Sequence, residues 1–208
     1  IKYLSFVIIK KRTIMASLMV TPENQIQRLN IILSKIGDLK LLENQQLTTP
    51  PNSKSWSALE VVEHLNIAYQ LYINKIDNAL ANLPRKENAA TTFKVRRWQR
   101  FVIEGMQPKN NTRKMKMKTL KRFEPVIEFE KLDQEAIEEI LGRFEKLHLH
   151  LKNAVLESRS KNVSKLKINS AIGAIVSFYL PECFEFLLTH IERHMVQIDE
   201  ILLKVKLR

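Results

Sequence analysis

The stretch Thr189-His190-Ile191-Glu192-Arg193-His194 decides how this chain is read. It lies in a long segment, Cys183 to Val205, where Phe184, Leu187, Ile191, His194, Ile198, Ile201 and Val205 follow one another at steps of three and four. That period is helical. His190 and His194 fall one turn apart on the same helix face, so two imidazoles can address one object. His194 also stands where a core would carry Leu or Ile, and a buried imidazole without a partner is unfavourable. A metal ion is one such partner, because neutral imidazole is the commonest metal ligand. Two histidines do not make a site, so a third ligand must come from elsewhere.

The composition supports a helical protein throughout. The chain has 208 residues with only four glycines, and no sustained alternation of period two. These features predict a single all-α domain large enough to bury a core. No apolar run approaches ~18 residues, so no transmembrane helix and no membrane partner is expected. One cysteine, Cys183, excludes an internal disulfide and a thiolate zinc cluster. The setting this implies is reducing and cytoplasmic. Net charge is +12, and nearly all the excess lies in residues 85–122, which hold 13 Lys/Arg against Glu87 and Glu104.

The sequence in order predicts four long helices. Residues 1–14 carry a short apolar run followed by basic residues, the reverse of a secretory signal. They are read as an extension outside a domain spanning 15–208. Thr21-Pro22-Glu23 is a helix start, and Ile26, Leu29, Leu33 and Ile36 mark one face of a helix over 22–43. Ser57 and Glu60 form a capping box behind Trp56 and open a second helix over 57–82. Asp133 caps a third over 133–158, and Pro181-Glu182 starts the last, over 182–205.

Residues 84–131 are far too long for an ordinary connection, which takes ~2–8 residues in bundles. A connection of this length lets helices two and three run in the same direction. The expected fold is a four-helix bundle with a long crossover between helices two and three. A short amphipathic helix is expected near Thr92–Gly105, its Phe93, Trp98, Phe101 and Val102 docking it onto the bundle.

His64, His148 and His150 are the candidates for the third ligand. His148 and His150 are two apart on a helix and diverge by ~200°, so both cannot face one ion. They also sit among Lys146 and Lys152, expected to point to solvent. His64 lies ~10 Å into its helix, a depth comparable with the ~12 and ~18 Å of His190 and His194. Cys183 is ~10 Å along the helix from His190, too far to share its ion. The competing reading is a set of core histidines, each satisfied by a local hydrogen bond.

The segments WSALEVVEHL and INSAIGAIVSFYLPECFEFLLTHIERHMVQI resemble two signatures of the DinB/YfiT-like superfamily. The first opens helix two with Trp-Ser and carries a His near the helix middle. The second leads through a Gly-containing turn to a helix bearing His-x-x-x-His and then Gln-Ile. Order, spacing and length agree from about Thr21 to Leu203. The resemblance implies a four-helix bundle with the long crossover, and a divalent metal held by His64, His190 and His194. It also implies a metal-dependent hydrolase, or a transferase or isomerase using a low-molecular-weight thiol. The 1–14 extension and the basic 85–122 segment depart from the family pattern.

Two readings of function follow. As an enzyme, three imidazoles leave positions on the ion open for water or substrate, and the ion lowers the pKa of a water or thiol nucleophile. Zinc and nickel both suit imidazole, and the partner is a small-molecule substrate. Glu63 points ~100° away from His64 and is not assigned a role. As a binding module, the chain grips nucleic acid through 85–122, where Trp98 and Phe101 interleave with Arg96, Arg97 and Arg100. The docking reading of those aromatics is preferred, with the basic residues solvated and nucleic acid not a partner. Bundles of this type commonly dimerise through helix faces, so a second copy is an expected partner.

Overall fold

Each long helix begins where the side chains can satisfy its free amides. The computed structural model describes residues 17–87, 91–113, 118–173 and 175–207; the 1–14 extension lies outside them. Helix α1 spans Pro22–Leu39, and the Thr21 hydroxyl accepts from the Asn24 amide at 3.2 Å. A short α2, Asn44–Thr48, follows in the connection between the first two predicted helices. Helix α3 spans Ala58–Asn82 and opens on the predicted capping box, with Ser57 and Glu60 bonded reciprocally. It ends where Pro84 cannot continue it. Helix α4 is Arg97–Met106 and α5 is Gln134–Ser158, capped by Asp133. Helix α6 is Leu180–Lys206, two residues earlier at its start than predicted.

Two minor sheets tie down the connections. β1 (Met19–Val20) pairs antiparallel with β2 (Phe93–Lys94), and β3 (Ile168–Asn169) with β4 (Ser177–Phe178).

The helix directions follow from their cross-links. Glu23 meets Arg159 and Lys40 meets Glu145, so α1 and α5 are antiparallel. Gln25 meets Glu185 and Lys35 meets Asp199, so α1 and α6 are parallel. The Asn66 amide donates to the Ile140 carbonyl near the start of α5, and Arg85 pairs with Lys161 beyond its end. Helices α3 and α5 therefore run the same way. Tyr72 packs against Phe186 while His64 meets His190, which makes α3 and α6 antiparallel. Helix α1 packs on α5 and α6, and α3 packs on the same two. The product is a four-helix bundle whose second and third long helices are parallel neighbours joined by the crossover, as the length of 84–131 predicts.

Two predicted faces are rotated. In α1 the buried stripe is Leu29, Ile32, Ile36 and Leu39, and Leu33 is exposed. In α4 the buried residues are Gln99 and Ile103, and Gln99 donates to the Ser177 carbonyl at 3.0 Å. Trp98 and Phe101 do not dock the helix; they are 56% and 69% exposed. Arg96, at the N-cap, does the anchoring. Its guanidinium reaches Glu182 of α6 at 2.6 Å, and its ring-facing side lies 4.5 Å from the Tyr179 ring centre. Of the four residues expected to dock the segment, Phe93 and Val102 do pack against the core, while Trp98 and Phe101 are left in solvent. Among the described residues no helix is long and apolar enough to cross a membrane.

Candidate metal centre

The second turn of α3 and the middle of α6 face each other because the two helices are antiparallel and packed. His64 comes from α3, and His190 and His194 from α6 one turn apart. Their Nε2 atoms converge: His64 to His190 is 3.4 Å and His194 to His190 is 3.1 Å. Among the described residues, each of the three offers a ligand atom within 4.8 Å of the other two. His64 is buried, while His190 and His194 retain partial exposure.

The outward nitrogens fix the tautomers. His64 Nδ1 lies 2.6 Å from the Phe123 carbonyl oxygen, which can only accept, so Nδ1 carries the hydrogen. His194 Nδ1 donates in the same way to Oε1 of Gln197 at 3.1 Å. Both rings thereby aim a bare Nε2 lone pair at Nε2 of His190. That atom carries at most one hydrogen and can satisfy one lone pair, not two. A cation satisfies all three together. Three nitrogens ~2.0–2.1 Å from one tetrahedral ion stand ~3.3 Å apart, close to the two separations observed. The donor set fits a divalent metal. The bonds to Phe123 and Gln197 are the outer hydrogen bonds that metal-ligating histidines require.

The electrostatics agree with neutral ligands. Burial lowers the pKa of all three rings. His190 falls to about 3, through burial first and then the charges of His64 and Arg193. His194 falls well below its ordinary value through burial and then the neighbouring His190 and His64. His64 is lowered by burial, partly offset by the Phe123 carbonyl. At neutral pH all three are in the form that binds metal. Arg193 and Arg113 add positive charge near His190 and His194 respectively.

The other histidines are elsewhere, though not where the sequence put both. His148 is not solvent-directed. It is buried in the α5 stripe with Leu141, Phe144 and Leu151, and its Nε2 bonds the Leu29 carbonyl of α1 at 2.6 Å. His150 bridges the Tyr69 hydroxyl (2.7 Å) and Asp77 (2.8 Å). Glu63 is turned to α5, and Arg143 of α5 and Asn66 of its own helix hold its carboxylate. Cys183 is buried, and burial pushes its thiol well above the usual range.

His148 gives a testable pH dependence. Burial, its largest influence, holds its folded-state pKa below 6.5. As pH falls below about 6.5 the unfolded chain takes up a proton that the folded chain refuses, so stability declines. Urea unfolding at pH 7 and pH 5 is expected to show a larger loss for the wild type than for His148→Phe. Equal losses would contradict the assignment.

Sequence reasoning missed two supports of the site. Gln197 was legible in principle, as an amide three residues beyond His194 on one helix face. Phe123 was not, because its contribution is a backbone carbonyl in the crossover. Trp56, the residue in front of the capping box, also tilts against His64, with ring centres 5.2 Å apart.

Comparison with known proteins places this geometry. The family profile of the DinB superfamily matches residues 37–198, most of the chain. The chain belongs to the DinB superfamily. The fold is also similar to that of YfiT from Bacillus subtilis, described as "a probable metal-dependent hydrolase with an unusual four-helix bundle topology". That match has a TM-score of 0.51 at 14% identity and covers 86% of this chain and 84% of YfiT. At this identity the likeness is one of fold. None of the curated proteins matches. Within the superfamily frame, His64, His190 and His194 are the residues the two sequence signatures singled out, and they are the three that meet.

Proposed function

We propose that this DinB-superfamily protein is a metal-dependent enzyme, a hydrolase or a transferase using a low-molecular-weight thiol. His64, His190 and His194 hold its divalent ion. The observation that carries the reading is the convergence of three Nε2 atoms, with Nδ1 of His64 and of His194 committed elsewhere. When bound, the ion supplies a Lewis acid that polarises a carbonyl and acidifies a water or thiol. Zinc and nickel both suit three imidazoles.

The protein's own part is orientation and field. Phe123 and Gln197 hold the protons of His64 and His194 on Nδ1 and keep Nε2 free. The apolar wall of α3 excludes water behind the site. Arg113, paired with Glu200 at 2.6 Å, and Arg193 add positive charge beside the rings, which favours an anionic nucleophile such as a thiolate, and a substrate with developing negative charge. Residues 15–208 act as one domain in this reading, with 84–131 as a crossover that delivers the Phe123 carbonyl to the site.

The direct test is elemental analysis of protein purified without a metal-affinity tag. One divalent ion per chain is expected, followed by turnover in a screen of electrophiles with and without cellular thiols. Gln197→Leu removes the acceptor for His194 Nδ1–H and frees the ring to rotate. Its metal affinity is expected to fall about 10–100-fold, the usual consequence of losing such an outer hydrogen bond, as read by competition with a chromophoric chelator. An unchanged affinity would show that the Gln197 contact does not orient the ring.

A further inference from the structure

The rings that the crossover helix leaves in solvent need an explanation. Trp98 and Phe101 are three residues apart on α4 and stack with centres 5.6 Å apart and planes 22° from parallel. Both are more than half exposed. The helix is already held to the bundle by Arg96, Gln99 and Ile103, so the rings are not needed for docking. Exposed Arg97 precedes Trp98 in the helix and exposed Lys94 lies in β2 just before it; neither has an ion pair among the described residues. Arg97 and Phe101 lie one turn apart on the same face. Glu104 is the single acid of α4 and is taken up by Arg100 at 2.7 Å.

The charge selects the partner. Residues 85–122 carry a formal +11, and although Arg96, Arg100 and Arg113 are paired with acids, Lys94 and Arg97 have no ion pair among the described residues, so this face suits a polyanion. A second copy of the chain placed ring to ring would bring Lys94 and Arg97 against their own counterparts, which is repulsive. A membrane would gain only two apolar side chains from a ten-residue helix, too little for stable insertion. Single-stranded nucleic acid needs what is present: a flat aromatic platform on which a base stacks, with cations beside it for phosphate. We propose that the exposed face built on Trp98, Phe101 and Arg97 of α4, with Lys94 of β2, binds single-stranded nucleic acid. This surface is separate from the histidine cluster and does not depend on the enzymatic reading.

The experiment is fluorescence anisotropy of the full chain with labelled single-stranded DNA and RNA oligonucleotides about 15 nucleotides long, in about 150 mM salt. The expected dissociation constant is micromolar. Trp98→Ala/Phe101→Ala should weaken binding about tenfold or more while leaving the salt dependence unchanged. Arg97→Gln should lower the slope of log K against log salt by about one. Circular dichroism is expected to show both variants folded, because the changed side chains are at the surface. Heparin, a polyanion without bases, and vesicles containing anionic phospholipid serve as competing probes. The proposal is overturned if the wild type fails to bind oligonucleotides at micromolar concentration. It is equally overturned if the double variant binds them as tightly as wild type, or if the double variant loses vesicle binding or self-association instead.

Discussion

Replacing His194 or His190 by alanine is expected to abolish stoichiometric binding of a divalent ion, while His148→Ala retains it. Three imidazoles are the minimum protein ligand set of an open zinc-type site. Removing one leaves two nitrogens and a cavity that water fills. His148 lies in the α5 core with its Nε2 on the Leu29 carbonyl, so its loss affects packing and not the ion. Isothermal titration of metal-stripped protein with zinc and nickel decides between the metal reading and a set of core histidines. If His194→Ala takes up one ion per chain as tightly as the wild type, the three rings are not ligands and the enzymatic proposal fails with them.

Glu182→Ala is expected to destabilise the fold by about 3 kcal/mol. Glu182 is fully buried, and its carboxylate accepts from the Arg96 backbone amide at 2.9 Å and from the Arg96 guanidinium at 2.6–3.1 Å. It also accepts from the Tyr179 amide at 3.0 Å, closing the first turn of α6. Truncation leaves two amides and a guanidinium without their acceptor. Breaking a buried pair from one side costs about 3–5 kcal/mol. The low end applies because Arg96 keeps 30% of its side chain in water. For a chain of this size the thermal midpoint should drop by about 6–12 °C. Glu182→Gln, which keeps the shape and part of the hydrogen bonding, should lose less. A shift within 2 °C for the alanine variant would show that Arg96 does not anchor α4.

Local signals carried most of the fold. The capping residues Thr21, Ser57 and Asp133 start their helices as read, because a side chain bonded to its own first turn needs no tertiary information. The crossover was legible from length alone. The helix faces were less secure: Leu33 and Trp98 satisfy the apolar pattern yet lie outside, since periodicity says that a stripe exists but not which partner it meets. The histidine cluster was legible for a mixed reason. His194 was singled out as an imidazole in an apolar series, and His148 sits in just such a series with only a carbonyl as its partner. What distinguishes them is the second imidazole one turn away at His190, together with the family signatures that selected His64. The Phe123 carbonyl had no sequence signal at all.

The parallel pairing of α3 and α5 also constrains how the molecule assembles. Two helices joined by a short turn can meet as a local hairpin, but parallel neighbours cannot. The whole chain between Asn82 and Gln134 must be looped out before α5 finds α3, and the entropy of closing it precedes any reward from the contact. His64 and the α6 histidines are further apart still in the chain, and Phe123 comes from inside the loop itself. High contact order slows folding, and the histidine cluster closes across the 126 residues between His64 and His190. Metal uptake during refolding should therefore lag behind helix formation, so that an ion-sensitive signal times a late step of assembly.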